Sequence, residues 1–185
     1  MKYLNEMLKW NKENGYLINQ DIKKQIQKQI RIHKKYIYRL DRIEQFISFT
    51  HDNFMLTTGD LKPIVLLPTQ KWWTELMLGY DMINEQGEQV QLVNEIFLNV
   101  GRGTGKSSLM ATRVLNWMLL SGQFGGEAQV IAYDNNQAKH VYEQVKNQAK
   151  ASPLLSELSE NNQFKSTKTG LLFQPLLTKF IKQTN

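Results

Sequence analysis

The sequence predicts an α/β fold built on a parallel sheet, with an all-helical region in front of it. Two observations predict this class. From residue 95 onward the pattern runs strand, helix, strand, helix, strand, an order typical of parallel sheets whose strands are joined by helices. A glycine-rich loop also connects the first of these strands to the helix that follows it. With 41% hydrophobic residues among 185, the chain has enough apolar side chains to build the core of such a domain.

The positive charge of the chain is concentrated at its N-terminus. Residues 1–44 contain 11 Lys and Arg against 5 Asp and Glu, whereas the remainder contains 12 of each sign, so the net charge of +6 belongs to one segment. There is no cysteine and the three histidines are far apart, which excludes disulfides and argues against a zinc site. No apolar run approaches the roughly 20 residues that a membrane-spanning helix needs, and no signal peptide is predicted.

Two helices are predicted in the N-terminal region. The first covers residues 3–10, and the pair Asn14–Gly15 ends it. The second is one long helix over 20–49, which Asn19 or Asp21 could cap. Its apolar stripe recurs at helical spacings and consists of Ile22, Ile26, Ile30, Ile37, Leu40, Ile43 and Ile47. The favoured interpretation is a solvated basic helix that packs this one stripe against the core.

A boundary is predicted between residues 58 and 59, inside an irregular segment with two prolines. Residues 1–58 are then a basic helical region, and 59–185 are the N-terminal part of a phosphate-binding domain. A helix opening at Thr69 carries Trp72 and Trp73, and because adjacent helical residues face different sides, only one of these indoles can be deeply buried. The later elements are a strand at 95–100, a helix from the glycine-rich loop to 120, a strand at 128–133, a helix at 136–150 and a strand at 169–173.

The glycine-rich loop, VGRGTGKSS at residues 100–108, carries the clearest chemistry. Three glycines in five residues allow a tight turn that exposes backbone N–H groups, and the next helix directs its N-terminal dipole at the same point. Lys106 can reach β- and γ-phosphate oxygens, and the Ser107 hydroxyl can ligate Mg²⁺. The loop departs from the pattern G-x-x-x-x-G-K-[S/T] in Val100, which stands where the first glycine is expected. The residues predicted to bind the nucleotide are Gly101, Gly103, Thr104, Gly105, Lys106, Ser107 and Ser108.

Arg102 lies inside the same loop, and two roles are open for it. A cation here can contact the transferring phosphoryl oxygens, as an arginine finger supplied by the same chain does, and Arg102 and Lys106 are then the candidate catalytic residues. Alternatively, Arg102 is a solvated side chain that only raises the local positive potential.

Three segments, in this order, resemble the large terminase subunits of tailed phages, the ATPases that package DNA. Residues 67–72, LPTQKW, resemble a stretch in which a glutamine, here Gln70, is assigned to adenine. The loop at 100–108 resembles the variant Walker A motif of the P-loop in that family, which often lacks the first glycine and carries an arginine. Residues 131–138, IAYDNNQA, resemble the strand-to-helix segment that follows.

This resemblance implies a P-loop ATPase that uses ATP and Mg²⁺ to drive double-stranded DNA into a prohead. It also implies a small terminase subunit and a portal ring as partners, a C-terminal nuclease, and the cytoplasm of the bacterial host as location. With that function, contact between the basic helix and DNA is an option beside its solvated role. For Gln70, the competing interpretation is an exposed polar residue at a helix start.

The position of the Walker B acid is open. Asp134 ends an apolar run as such an acid does, but Asn135 rather than glutamate follows it, so a helix cap is the favoured interpretation. No other candidate is recognised in residues 1–185, and turnover of ATP by these residues is an open question. The alternatives to a terminase are another P-loop ATPase, such as a helicase-like motor, and a truncated nucleotide-binding remnant without turnover.

Overall fold

A computed structural model of the chain describes residues 1–57, 59–131, 135–167 and 170–182. The chain folds as two compact units, and neither is continuous in sequence. The first unit is Met1–Ser48 with Val65–Asn99, and the second is Phe49–Ile64 with Val100–Asn185. Both units contain helices and strands, so the α/β class is confirmed. No helix in the described part of the chain is long and apolar enough to cross a membrane.

Four helices and a small antiparallel sheet form the first unit. The helices are α1 (Lys2–Glu13), α2 (Gln20–Lys35), the first part of α3 (Leu40–Asn53) and α4 (Pro68–Leu78). The sheet has the order β1, β4, β5, made of Ile37–Tyr38, Tyr80–Ile83 and Gln89–Gln91.

The prediction of one long helix over 20–49 is wrong. Helix α2 begins as expected, because Asn19 accepts a hydrogen bond from the Ile22 amide at 2.8 Å, but it ends at Lys35. The next residues form β1, which pairs with β4, and the Arg39 amide donates to the Gly79 carbonyl at 2.9 Å. Pairing with a strand distant in sequence thus outweighs the local helical pattern, and the N-terminal region contains strand as well as helix.

The core of the first unit brings α1, α2 and α4 together around one indole. Trp72 is 4% exposed and packs with Leu4 and Met7, whereas Trp73 is only partly buried, so the prediction that one of the two tryptophans is deeply buried is confirmed. The Trp72 Nε1 group donates to Gln29 Oε1 at 2.7 Å. Gln29 is therefore a fully buried amide that ties α2 to α4.

Glu75 on α4 is a buried carboxylate that holds the start of α1. It accepts the backbone N–H of Leu4 at 2.8 Å and that of Tyr3 at 3.3 Å. It also accepts hydrogen bonds from the Gln29 amide at 3.1 Å and from the Tyr38 hydroxyl. Helix α1 has no side-chain cap of its own, so the carboxylate at its positive end replaces that cap.

Asp81 on β4 is a second buried carboxylate, and it joins β4 to α3. It accepts from Arg39 at 2.9 Å, from Arg42 at 2.5 and 2.6 Å, and from Gln89 at 2.8 Å. Burial alone would raise the pKa of Asp81, but the hydrogen bonds from Arg42, Gln89 and Arg39 outweigh it, so the pKa lies below its usual value.

This lowered pKa makes the contribution of Asp81 to stability dependent on pH. A carboxyl whose pKa is lower in the folded chain stabilises the fold above its unfolded pKa and loses that effect as pH falls through its folded pKa. At neutral pH, Asp81→Asn should lower the unfolding free energy by its full amount. We expect this difference from the wild type to shrink as pH falls below about 4, the usual pKa of an aspartate. Chemical denaturation across this range measures it. Asp60→Asn, at an exposed position, serves as the control, and an equal pH dependence in both variants would contradict the assignment.

The second unit contains a four-stranded sheet with helices packed against it. The sheet has the order β6, β9, β8, β7. These strands are Glu127–Val130, Thr178–Lys182, Gly170–Phe173 and Phe164–Ser166. The helices are the end of α3, α5 (Lys106–Leu120), α6 (Asn135–Ala151) and α7 (Pro153–Glu160), and Met55–Leu56 and Lys62–Pro63 form the hairpin β2–β3.

The sheet of the second unit is mixed rather than parallel. Strands β6 and β9 run parallel, but β8 pairs antiparallel with both β9 and β7. The connections from β7 to β8 and from β8 to β9 are only a few residues long, which suffices for antiparallel neighbours and not for a parallel crossover. Helix α5 packs on this sheet, where the Thr178 hydroxyl donates to the Met118 carbonyl at 2.9 Å.

The strand predicted at 95–100 is not formed. Residues 93–101 have no regular secondary structure, and the side chain of Phe97 is 91% exposed. A strand requires a hydrogen-bonded neighbour, and no strand of the described residues pairs with this segment. The other predicted elements are found, as β6, α6 and β8, although residues 132–134 and 169 lie outside the described residues.

Candidate nucleotide-binding site

The loop in front of α5 has a backbone that requires glycine at two places. Gly103 and Gly105 have φ angles of 78° and 75°, in the left-handed region that side-chain-bearing residues avoid. Gly105 is the N-cap residue of α5, and no side chain caps the first amides of that helix. The Thr104 hydroxyl donates to the Gly101 carbonyl at 3.0 Å, which closes the turn. The loop therefore leaves the N-terminus of α5 uncapped, and a helix N-terminus of this kind can bind an anion.

The two cations of the loop differ in their surroundings. Lys106 is partly buried, and its Nζ donates to the Val100 carbonyl at 3.3 Å, so its ammonium is folded back over the loop. Arg102 is exposed at the tip of the turn, and Ser107 is exposed in the first turn of α5. An ammonium beside uncapped helix amides can bind a phosphate, and an exposed hydroxyl next to it can add one oxygen ligand to a magnesium ion.

Helix α6 holds the first turn of α5 through two glutamines that sequence reasoning missed. Gln144 donates at 3.3 Å to the Ser108 hydroxyl and at 3.3 Å to the Thr57 hydroxyl. Gln148, which is fully buried, donates at 3.3 Å to the Ser108 carbonyl. The sequence signal for them was their spacing, because residues four apart lie on the same face of a helix. Val145, next to Gln144, is also buried on that side. These contacts orient Ser108 and with it the start of α5.

The remaining candidate residues lie elsewhere in the chain. Gln70 belongs to the first unit, at the start of α4, where its Oε1 accepts from the Leu67 amide at 3.0 Å. This bond satisfies a helix N-terminal donor, the local role typical of a glutamine at this position of a helix. Asp134, the alternative Walker B acid, lies outside the described residues. Within the described ranges, no group of three or more His, Asp or Glu side chains could hold a metal ion.

Comparison with known proteins decides the family. The model of the family described as terminase large subunit, ATPase domain, matches residues 68–181, which is more than half of the chain. The chain belongs to this family. The matched residues of this chain include α4, the loop at 100–108 and the sheet of the second unit. The resemblance predicted from three motifs is therefore confirmed.

Curated relatives and a solved structure agree with this assignment. The terminase large subunits of Lactococcus phage p2 and Lactococcus phage SK1 are each 67% identical to the chain over all 185 residues, which are 34% of their own length. The chain thus spans about a third of these relatives. The crystal structure of the HK97 bacteriophage large terminase matches 77% of the chain and 27% of its own, with a TM-score of 0.61 and 20% identity. At that identity the match shows that the terminase chain shares its fold.

Proposed function

We propose that this terminase chain is the ATP-binding part of a motor that drives double-stranded DNA into proheads. The observation that carries the proposal is the loop at residues 100–108, where uncapped amides of α5, two left-handed glycines and the folded-back ammonium of Lys106 converge. Membership of the terminase ATPase family supports use of a nucleotide. By resemblance, the small terminase subunit and the portal are the partners, and the cytoplasm of the bacterial host is the place of action.

In this proposal each residue of the loop has a defined role. The backbone N–H groups at Gly101, Gly103, Thr104 and Gly105 cradle phosphate oxygens, as glycine-rich loops do. Lys106 neutralises the β- and γ-phosphates, Arg102 contacts the γ-phosphate, and Ser108 adds a hydroxyl that Gln144 orients. Gln70 is proposed as the residue that recognises adenine.

Magnesium fits the chemistry of this loop. The Ser107 hydroxyl is a hard oxygen ligand, and Mg²⁺ commonly takes one or two protein oxygens and completes its coordination with phosphates and water. Bound with the nucleotide, the ion would neutralise phosphate charge. The chain would supply Ser107 as a ligand and the N-terminus of α5 as a fixed positive field.

Nucleotide-dependent stability tests the proposal. With ATP and magnesium at about 100 times the dissociation constant, the free energy of unfolding should rise by about 2.7 kcal/mol, because only the folded loop binds the ligand. AMP with magnesium is the matched ligand, since it lacks the β- and γ-phosphates that Lys106 would neutralise. Thermal unfolding at equal concentrations should show a clearly larger shift with ATP. Equal shifts with the two nucleotides, or none with either, would contradict a phosphate-binding role for the loop.

A further inference from the structure

Helix α2 presents two chemically different sides. Ile22, Ile26 and Gln29 face the core of the first unit, where the two isoleucines pack on the cluster around Trp72 and Gln29 is fully buried. The cations of α2 occupy the opposite side at helical spacing. This surface, here termed the basic face, consists of Lys23, Lys24, Lys28, Arg31, Lys34 and Lys35, all exposed.

Most of the charge of the basic face is not neutralised by neighbouring acids. Lys24 lies 3.9 Å from Asp21, and the ammonium of Lys35 lies 5.1 Å from the centre of the Tyr36 ring. Across the described residues, no acidic side chain comes within 4.0 Å of the other four cations of this face, Lys23, Lys28, Arg31 and Lys34. The positive charge concentrated at the N-terminus is therefore available on α2.

Four cations elsewhere in the first unit bind acidic side chains within that unit. Lys2 pairs with Glu44 at 2.6 Å, and Lys71 pairs with Glu6 at 2.8 Å. Arg39 and Arg42 both bind the buried Asp81. The contrast shows that cations with structural roles in this unit have acidic partners, whereas the basic face has none of comparable geometry among the described residues.

The arrangement of the basic face fits a line of phosphates better than a protein or a lipid surface. Lys24, Lys28, Arg31 and Lys35 follow one another at spacings of four, three and four residues, so they form a row about 16 Å long on one side of the helix. Each strand of duplex DNA offers a phosphate about every 3.4 Å measured along the helix axis. Protein interfaces are depleted in lysine and enriched in aromatics, and membrane-surface helices expose aromatics or leucines. On α2 the single large apolar side chain that is exposed is Ile30, at 37%.

We propose that the basic face of α2 binds the phosphate backbone of double-stranded DNA without reading its sequence. The inference deepens the proposed function and rests on it for the duplex as substrate, because a packaging motor must hold DNA whatever its sequence. Lysine and arginine side chains that contact phosphates release the counterions of the duplex, so binding through this face must weaken steeply as salt rises.

The test is duplex binding by the whole chain over a range of salt. A duplex of arbitrary sequence is titrated by fluorescence anisotropy between about 50 and 200 mM salt. In the variant, Lys23, Lys28, Arg31 and Lys34 are replaced by glutamine, which keeps a good helix former at each position. The matched control carries Lys139, Lys150, Lys165 and Lys179, all exposed lysines of the second unit, replaced in the same way. Both variants remove four positive charges.

We expect the variant of the basic face to bind the duplex at least about tenfold more weakly at low salt, with a log–log salt slope shallower by about 0.9 for each phosphate that the variant no longer neutralises. The control should retain the wild-type slope. Equal reductions in both variants would show that only net charge matters and would overturn the proposal, as would absence of duplex binding by the wild-type chain. Polyglutamate is tested in the same way. If it bound the wild-type chain as tightly as DNA does, and bound the variant of the basic face more weakly, the partner would instead be an acidic protein.

Nucleotide binding measured on the same samples separates this inference from the proposed function. The variant of the basic face should retain the full stabilisation by ATP, because the loop is unchanged. A wild-type chain that binds the duplex through α2 without responding to ATP leaves the inference standing and removes the nucleotide site. If the chain responds to ATP but binds the duplex equally well with and without the basic face, the nucleotide site stands and the inference about α2 is overturned.

Discussion

Replacing Glu75 by alanine should lower the free energy of unfolding by about 3–5 kcal/mol, one of the largest effects we expect in this chain. Glu75 is fully buried, and four donors share its two oxygens. Without the carboxylate, the amides of Tyr3 and Leu4 and the side chains of Gln29 and Tyr38 lose their acceptor in an environment where water cannot replace it. Each buried donor left unsatisfied costs about 1–3 kcal/mol.

Thermal and chemical unfolding measure this effect. For a chain of this length, the destabilisation corresponds to a fall in melting temperature of roughly 6–20 °C. Glu13→Ala is the matched control, because Glu13 is an exposed glutamate of α1 whose contact with Lys9 at 3.9 Å contributes little. If the two variants unfolded within about 1 kcal/mol of each other, Glu75 could not be the anchor of α1.

Tyr38→Phe tests the same anchor from the donor side. Burial, and next the hydrogen bond to Glu75, raise the pKa of Tyr38 above its usual value, so its hydroxyl stays protonated as a donor. Removing that hydroxyl leaves three of the four donors on Glu75, and a much smaller loss of stability than in Glu75→Ala should result. The difference in unfolding free energy between the two variants measures how much the hydrogen bonds from the helix amides and Gln29 to Glu75 stabilise the fold.

Local patterns predicted the parts of this chain whose structure depends on neighbouring residues. The start of α2 follows from Asn19 and the helical period, and the turn in front of α5 follows from glycines directly before a helix. That only one of Trp72 and Trp73 is deeply buried follows from helix geometry. The contacts that decide which one is buried, with Leu4, Met7 and Gln29, come from distant helices.

The structural features that local sequence patterns failed to predict depend on contacts between residues distant in sequence. A helical stripe of isoleucines included Ile30, yet the buried position is that of Gln29, because its amide pairs with Trp72 and Glu75. Likewise, Ile37 fitted the stripe but lies in β1, since its strand pairs with β4. Hydrophobic periodicity cannot anticipate a polar side chain whose partners come from another helix.

The candidate site shows the same division between local and distant information. Residues 100–108 could be proposed as a phosphate-binding loop from sequence because all the residues that this proposal needs lie in one short segment. The contribution of Gln144 and Gln148 was not, since it requires knowing that α6 packs on the start of α5. The strand expected at 95–100 depends on a neighbouring strand, and a strand pattern alone does not supply one.

Lys106→Ala should weaken binding of ATP by about 10- to 150-fold, which corresponds to removal of a charge-assisted hydrogen bond worth about 1.5–3 kcal/mol. The expected loss of affinity comes from the missing Lys106 ammonium alone, because the variant keeps the loop backbone and the N-terminus of α5. In the free chain, Lys106 Nζ donates one hydrogen bond of 3.3 Å to the carbonyl of the partly buried Val100. Without ligand, Lys106→Ala should therefore change the free energy of unfolding by less than about 1 kcal/mol.

Isothermal titration with ATP and magnesium separates this role from a general effect of charge. Lys139→Ala removes an exposed lysine of α6 and the same single charge, so it should bind ATP as the wild-type chain does. AMP should bind the wild type and Lys106→Ala with nearly equal affinity, since the phosphates that Lys106 would contact are absent from it. Equal ATP titrations for wild type and Lys106→Ala would remove Lys106 from the site. A loss of ATP affinity in Lys139→Ala as large as that in Lys106→Ala would show that the loop contributes only to the overall positive potential.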